Sequence, residues 1–224
     1  DDGRHFLRTT REKFDIITSD PVDPWVKGCA ALNTVEYYQM CRDHLNPGGI
    51  VALWIPLYES NLDTAKSVIA TFFHVFPHGI LWSNERDGNA YDTILFGQVE
   101  PTVIDVDALQ RRLERPDHQL VKESLREVGF GEGLDRKVEE GIDLLATYAG
   151  QASLLKEWSR GAQINTDRNL RLQYLAGLSL NSNMREQILS GIRASYRFPE
   201  QTFIGSPERI HVLKQIRYLP VRWR

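Results

Sequence analysis

The residues best suited to chemistry are two carboxylates that follow an apolar run. In the stretch FDIITSDPVDPW, residues 14–25, Asp20 and Asp23 come after the run and each precedes a proline. Pro21 and Pro24 each fix a backbone dihedral and so stiffen the turn that carries the carboxylates. Such a pair can hold an ammonium group by charge-assisted hydrogen bonds, and one member can accept a proton from it. The alternative is a strand-end turn with solvated Asp side chains, because Asp and Pro are ordinary turn residues.

Alternating strands and helices are predicted around this turn. The pattern predicts a strand over 14–19, a helix over 34–45, a strand over 50–56, a helix over 61–76 and two closing strands over 79–83 and 93–96. The continuous apolar character of the first strand predicts burial on both faces. The spacing of Asn33 and Glu36 predicts a capping box at the start of the first helix.

This order is that of half a doubly wound α/β sheet. Ligands of such sheets bind beyond the carboxyl ends of the strands, and Asp20 lies at that edge. After residue 100 the pattern changes, because only helices are indicated, over 106–115, 119–128, 136–149, 152–158, 183–197 and 207–219. We therefore predict two regions, an α/β domain over residues 1–100 and a helical region over 101–224.

Composition excludes several classes of protein. The chain has 224 residues, enough for one large domain, and a formal net charge of −3, which gives no electrostatic case for nucleic-acid binding. Cys29 and Cys41 form no CxxC motif, so we expect a reducing compartment and no disulfide framework. No apolar run approaches the roughly 20 residues of a membrane-spanning helix. No metal site is predicted, because Pro77 interrupts the helix that would align His74 with His78.

Several motifs together resemble the spermidine synthase family of polyamine aminopropyltransferases. In order, they are Asp2-Gly3-Arg4, Phe14-Asp15-Ile16-Ile17-Thr18-Ser19-Asp20, Asp23-Pro24, Glu36-Tyr37-Tyr38-Gln39 and Pro47-Gly48-Gly49. More particularly, they resemble the spermidine-synthase-like domains that form the soluble C-terminal part of larger bacterial membrane proteins. The resemblance covers residues 1 to about 100, and Ile164-Asn165-Thr166-Asp167 is similar to a stretch near the end of those proteins.

The resemblance implies a reaction and a role for five residues. An aminopropyl group would pass from decarboxylated S-adenosylmethionine, a co-substrate and not a prosthetic group, to a diamine such as putrescine. Asp20 matches the family's catalytic acid, which takes the proton of the attacking amine, and Asp23 matches the carboxylate that anchors the diamine. Tyr91 matches a tyrosine that orients the amine. Asp2 and the backbone of Gly3 match the pair that reads the adenine.

The implied fold is the C-terminal half of a Rossmann-like, class I methyltransferase-like doubly wound sheet, followed by a helical tail. The family's glycine-rich loop and ribose-binding acid have no counterpart here, and the chain opens on Asp1-Asp2-Gly3-Arg4, so we expect a fragment of a longer protein with incomplete activity. The family's usual turn is Asp-Ser-Ser-Asp or Asp-Pro-Pro-Asp, and Val22 here places an apolar side chain where a small or cyclic one is common. In the helical region, Asn169 and Gln173 stand where the larger membrane proteins with this domain often have Pro and Glu.

The implied partners are a small-molecule diamine and an adenosyl nucleotide, with no nucleic acid. The strand over 14–19 is central in the family, so we expect a homo-oligomer or a complementing N-terminal fragment to cover its edge. The resemblance also implies tethering to a membrane domain in the full-length protein. The location would then be cytoplasmic, at the cytoplasmic face of the inner membrane.

Two other functions stay open. A methyltransferase that uses S-adenosylmethionine has the same type of sheet, and Asp-Pro-x-Asp-Pro-Trp is loosely similar to the Asp-Pro-Pro-Tyr loop of amino-methylating enzymes. The second carboxylate, Asp23, favours a diamine, because a neutral nucleobase has no charge for it to bind. The other alternative is a degenerate, non-catalytic domain that senses a ligand.

Overall fold

The chain forms two compact units. The computed structural model describes residues 2–19, 23–83, 92–131 and 138–216. The sheet unit comprises Asp1–Asn84, Asn89–Pro101 and Ala149–Arg197, and the helical unit comprises Glu85–Gly88, Thr102–Tyr148 and Phe198–Arg224. Residues 149–197 therefore belong with the first hundred residues, which differs from the division at residue 100 that the sequence predicts.

A five-stranded sheet organises the sheet unit. Its strands are β1 (Phe14–Ser19), β2 (Leu45–Pro56), β3 (Ile80–Ser83), β4 (Asp92–Gly97) and β6 (Tyr148–Gln151), in the order β1-β2-β4-β3-β6. β1 and β2 are parallel, whereas β4 is antiparallel to both β2 and β3. The predicted α/β class is confirmed, as are the four strands predicted between residues 14 and 96.

β1 is the edge strand of the sheet that the described residues form. Every residue of β1 is at least partly exposed, and Ile16 is 67% exposed. The prediction that this strand is buried on both faces is therefore wrong. An apolar run indicates a strand, but its burial depends on the elements that cover it, and β2 is its only strand neighbour among the described residues.

The helices of the sheet unit pack around a single apolar core. They are α1 (Gly3–Thr9), α2 (Val35–Asp43), α3 (Leu62–Val75), α7 (Ala152–Leu155), α8 (Arg171–Ser179) and α9 (Arg185–Ser195). α3 confirms the helix predicted over 61–76. Asn61 caps this helix by accepting a hydrogen bond from Thr64 N at 2.9 Å, and Phe72 on its inner face is fully buried. α1 and α8 were not predicted.

The predicted capping box at the start of α2 is wrong. Thr34 is the N-cap residue, and its hydroxyl accepts a hydrogen bond from Tyr37 N at 3.2 Å. Asn33 instead ends a 3-10 turn, Cys29–Asn33, and its amide oxygen accepts a hydrogen bond from the Tyr38 hydroxyl at 2.8 Å. A hydrogen bond from the first turns of α2 itself thus occupies the side chain that the pattern assigns to the cap.

The helical unit contains α4 (Val106–Leu113), a 3-10 turn (Pro116–His118), α5 (Gln119–Glu127), α6 (Glu140–Leu145) and α10 (Pro207–Ile216). Its two-residue strands β5 (Ile104–Asp105) and β7 (Phe203–Ile204) pair in parallel. The prediction that the chain after residue 100 has no strand is therefore wrong at β5, β6 and β7. These strands have two to four residues, too few to show a period-2 pattern.

Neither cysteine forms a disulfide. In the part of the chain that the structure describes, no helix combines the length and apolar character needed to cross a membrane.

Candidate active site at the carboxyl edge of the sheet

Three chain segments meet at one edge of the sheet. β1 and β2 run parallel, with Ser19 paired to Leu53, so their carboxyl ends lie at the same edge. β4 is antiparallel to β2, and its first residue, Asp92, pairs with Pro56 near the end of β2. This edge therefore combines the segment after β1, the segment after β2 and the start of β4.

Asp23 and a group of aromatic side chains lie together at this edge. The Tyr58 hydroxyl donates a hydrogen bond to Asp23 Oδ1, with a distance of 3.5 Å between the oxygens. The Tyr58 ring centroid lies 5.9 Å from that of Trp25, in an edge arrangement, and 6.1 Å from that of Trp54. We call Trp25, Trp54 and Tyr58 the aromatic cluster. It places apolar ring surface directly beside a carboxylate.

Electrostatics at the aromatic cluster favour a cation. Burial raises the pKa of Tyr58, and the negative charges of Asp23 and Asp92 raise it further. The phenol therefore stays protonated at neutral pH and acts as a hydrogen-bond donor. A carboxylate together with ring faces is suited to an alkylammonium group, because the charge pairs with the carboxylate and the ring quadrupole attracts the same cation.

Two of the predicted site residues lie outside the described residues: the catalytic candidate Asp20 and the amine-orienting candidate Tyr91. Both roles stay predictions.

Asp2 and Gly3 begin α1. Asp2 is the N-cap residue, and its Oδ1 accepts a hydrogen bond from His5 N at 2.8 Å. A Cβ atom added to Gly3 would meet no described atom within 4 Å, so the backbone there faces open space. A carboxylate has two oxygens, each with acceptor capacity, so capping α1 and accepting a hydrogen bond from an adenine amino group are compatible roles.

The first turn of α1 lies near the same edge as Asp23. Arg4 Nη1 donates to the Ala31 carbonyl oxygen and lies 3.5 Å from Thr34 Oγ1. Thr34 caps α2, which follows the carboxyl end of β1 and leads back to the start of β2. The N-terminus of α2 and the first turn of α1 beside it therefore lie toward the carboxyl edge. The structure therefore places the first turn of α1 and the segment after β1 toward one edge of the sheet.

Sequence reasoning missed Tyr58, Trp54 and Asp92. Tyr58 is two residues beyond the end of β2, and Asp92 is the first residue of β4. The signal was present, since polar and aromatic residues directly after a strand of a doubly wound sheet lie at the ligand-binding edge. Among residues 2–19, 23–83, 92–131 and 138–216, no group of three or more His, Cys, Asp or Glu side chains is arranged to hold a metal ion.

Comparison with known proteins identifies the first part of the chain. Residues 1–80 match the model of the spermine/spermidine synthase domain. These residues are similar to the spermidine synthase family. The resemblance seen in the motifs is thereby confirmed.

Curated relatives in this family are polyamine aminopropyltransferases. The spermidine synthase segment is similar to polyamine aminopropyltransferase 1 of Pseudomonas aeruginosa, with 49% identity over 51 residues, 23% of this chain and 18% of that protein. The polyamine aminopropyltransferase of Nitrosomonas europaea is 29% identical over 110 residues, 44% of this chain and 34% of that protein. The matched part thus spans well under half the length of these two relatives.

A solved structure, that of a probable spermidine synthase from Corynebacterium glutamicum, is also similar. It has 21% sequence identity and a TM-score of 0.45, and the match covers 75% of this chain and 52% of that one.

Proposed function

We propose that the protein takes part in aminopropyl transfer from decarboxylated S-adenosylmethionine to a diamine such as putrescine, with methylthioadenosine as the second product. The observation that carries the proposal is the contact between Asp23 and Tyr58, within the aromatic cluster, at the carboxyl edge of the sheet. The match of residues 1–80 to the spermine/spermidine synthase domain supports the same reaction class.

In this proposal Asp23 binds the amine. Its carboxylate pairs with an ammonium group, and the rings of Trp25 and Tyr58 contact the apolar stem of the same molecule. An ion pair of this kind exists before the transition state, so it contributes to substrate binding and not to the chemical step.

Asp20 is the proposed general base. The amine nitrogen attacks the methylene carbon next to the sulfonium; a nitrogen–carbon bond forms and the carbon–sulfur bond breaks. The sulfur keeps the bonding electron pair and becomes the neutral thioether of methylthioadenosine. The proton lost by the nitrogen moves to the Asp20 carboxylate. Tyr91 orients the amine, while Asp2 and the Gly3 backbone bind the adenine of the donor.

The first test identifies the nucleoside by-product of the reaction. It uses the complete gene product that contains these residues. Incubated with putrescine and decarboxylated S-adenosylmethionine, it should release methylthioadenosine, identified by mass spectrometry. Release of S-adenosylhomocysteine from S-adenosylmethionine instead would indicate a methyltransferase. Neither product, with no binding of either nucleotide in calorimetry, would leave the non-catalytic alternative.

Two variants separate the proposed roles of the carboxylates. Asp20→Asn should lower kcat by about 100-fold or more, because the amide cannot accept the proton. Asp23→Asn should raise the KM for the amine about tenfold with a smaller change in kcat, because it removes an ion pair made in the ground state. Asp43→Asn is the matched control, since Asp43 is a 69% exposed carboxylate at the last residue of α2, away from the carboxyl edge. Equal kcat values for wild type and Asp20→Asn would exclude Asp20 as the base.

A further inference from the structure

The stretch that contains Ile164-Asn165-Thr166-Asp167 binds to several elements of the sheet unit. We call residues 163–169 the strap. The Ser67 hydroxyl of α3 donates to the Gln163 carbonyl oxygen at 2.6 Å, and Asn165 N donates to Thr71 Oγ1 of α3 at 2.9 Å. Val35 N, at the start of α2, donates to the Asn165 carbonyl oxygen at 3.0 Å. The strap therefore lies against α3 and the beginning of α2.

The side chain of Asn165 fixes the position of the strap. It is fully buried, and its Nδ2 donates to the carbonyl oxygens of Ala30 at 2.8 Å and Asn33 at 2.9 Å. Its Oδ1 accepts a hydrogen bond from Leu172 N at 3.0 Å. Since both donors and the acceptor of this amide are used inside the protein, the strap has one well-defined position, and Asp167 follows two residues later.

Asp167 is the point at which the strap meets α1. Its backbone N–H donates to Glu36 Oε2 at 2.9 Å, and its carboxylate accepts a hydrogen bond from the Arg4 guanidinium. Arg4 is in the first turn of α1 and also contacts Ala31 and Thr34. Partial burial alone would raise the pKa of Asp167, but the hydrogen bonds from Arg4 and Thr34 and the charge of Arg4 lower it below its usual value. The Asp167 carboxylate is therefore ionised at neutral pH.

The first turn of α1 depends on contacts of this kind. A helix of seven residues is not stable by itself in water, so tertiary contacts set its direction. The apolar contacts of α1 lie beyond Arg4: Leu7 is buried and the Phe6 ring centroid is 6.2 Å from that of Phe14. The polar contacts of Arg4 thus connect the first turn of α1, next to Asp2 and Gly3, to the rest of the sheet unit.

We propose that Asp167 is a positioning residue for the nucleotide: through Arg4 it holds the first turn of α1 so that Asp2 and Gly3 face the adenine. This inference rests on the proposed function, in which Asp2 and Gly3 bind the donor. It gives Asp167 of the strap, which is 163 residues away from Arg4 in the chain, an effect on the affinity for the donor.

The test is Asp167→Asn in the complete gene product, because the amide keeps the shape of the side chain and the backbone bond to Glu36. The KM for decarboxylated S-adenosylmethionine should rise about tenfold, while kcat and the KM for the amine change less than about twofold. Asp167→Glu, which keeps the charge, should recover most of the loss. The matched control is Glu186→Gln, which breaks the 2.6 Å ion pair with Arg193 in the same unit.

Hydrogen exchange gives a second measurement. Amides of α1 should exchange faster in Asp167→Asn than in wild type, and the control variant should not differ from wild type there. If Asp167→Asn does not fold, Arg4→Lys must show the same selective rise in KM.

The possible failures are distinguishable. A wild-type protein that neither binds nor turns over the donor refutes the proposed function and this inference with it. A wild-type protein that is active, with the same donor KM in Asp167→Asn as in wild type, refutes only the positioning role. A uniform loss of activity that follows thermal stability would likewise reduce Asp167 to a structural residue and overturn the inference.

Discussion

Replacing the buried amide of Asn165 should destabilise the sheet unit strongly. Asn165→Ala removes a 0% exposed side chain and leaves the carbonyl oxygens of Ala30 and Asn33 and the N–H of Leu172 without their partner. Each buried polar group left unsatisfied costs about 1–3 kcal/mol, and water that enters the cavity recovers part of this. We expect a loss of about 3–5 kcal/mol, a large fraction of the roughly 5–15 kcal/mol by which a domain is stable.

Asn169→Ala is the matched control from the same strap. Its side chain also makes three hydrogen bonds, accepting from Thr166 N and Arg171 N and donating to the Ile164 carbonyl oxygen, all near 3.0 Å. Asn169 is exposed, however, so water replaces these bonds when the side chain is removed. The expected loss is below about 1 kcal/mol.

The assay is urea unfolding followed by tryptophan fluorescence. Four of the five tryptophans, Trp25, Trp54, Trp82 and Trp158, belong to the sheet unit, so the signal reports mainly on this unit. With a denaturant dependence of about 2 kcal/mol per M of urea, the buried-amide variant should shift the midpoint down by about 2 M and the control by less than about 0.5 M. Equal shifts for the two variants would refute the reasoning, because burial would then not decide the cost of the lost hydrogen bonds.

Two further predictions concern a side chain at the site and the pH dependence of the helical unit. Tyr58→Phe keeps the ring but removes the hydroxyl that donates to Asp23, so the KM for the amine should rise about fivefold at nearly constant kcat, measured by steady-state kinetics. Hydrogen bonds from Arg209 and Ser206 lower the pKa of Asp107, so its contribution to stability is complete above about pH 4 and is lost as the pH falls through the lowered value. The difference in Tm between wild type and Asp107→Asn should therefore stay nearly constant from about pH 7 to about pH 4 and shrink as the pH falls further, and a difference that stays constant down to about pH 2 would contradict this.

Elements with a strong local pattern could be predicted from the sequence. The helix predicted over 61–76 is confirmed by α3, because the pattern that indicates it lies within one stretch of 16 residues. The edge of the sheet that carries Asp23 followed from the order of strands and helices alone, because ligand sites of doubly wound sheets occur at the carboxyl ends of strands.

Features that depend on distant partners could not be predicted in the same way. The contact of Tyr58 with Asp23 joins residues 35 positions apart, and the bond from Asn165 to Ala30 joins residues 135 apart. Local patterns contain no information on such partners.

The order in which the sheet unit is assembled along the chain has a consequence for biosynthesis. The ribosome completes residues 102–148 of the other unit before the strap is made, so α3 and the 3-10 turn Cys29–Asn33 must wait for Asn165 while their partner groups are unpaired. Until then a nascent chain of the first hundred residues exposes carbonyl groups and apolar surface that the strap and α8 later cover. Such a nascent chain is a natural client for a chaperone, and a premature stop near residue 101, where the sequence suggests a domain boundary, would yield an aggregation-prone product and not a smaller functional domain.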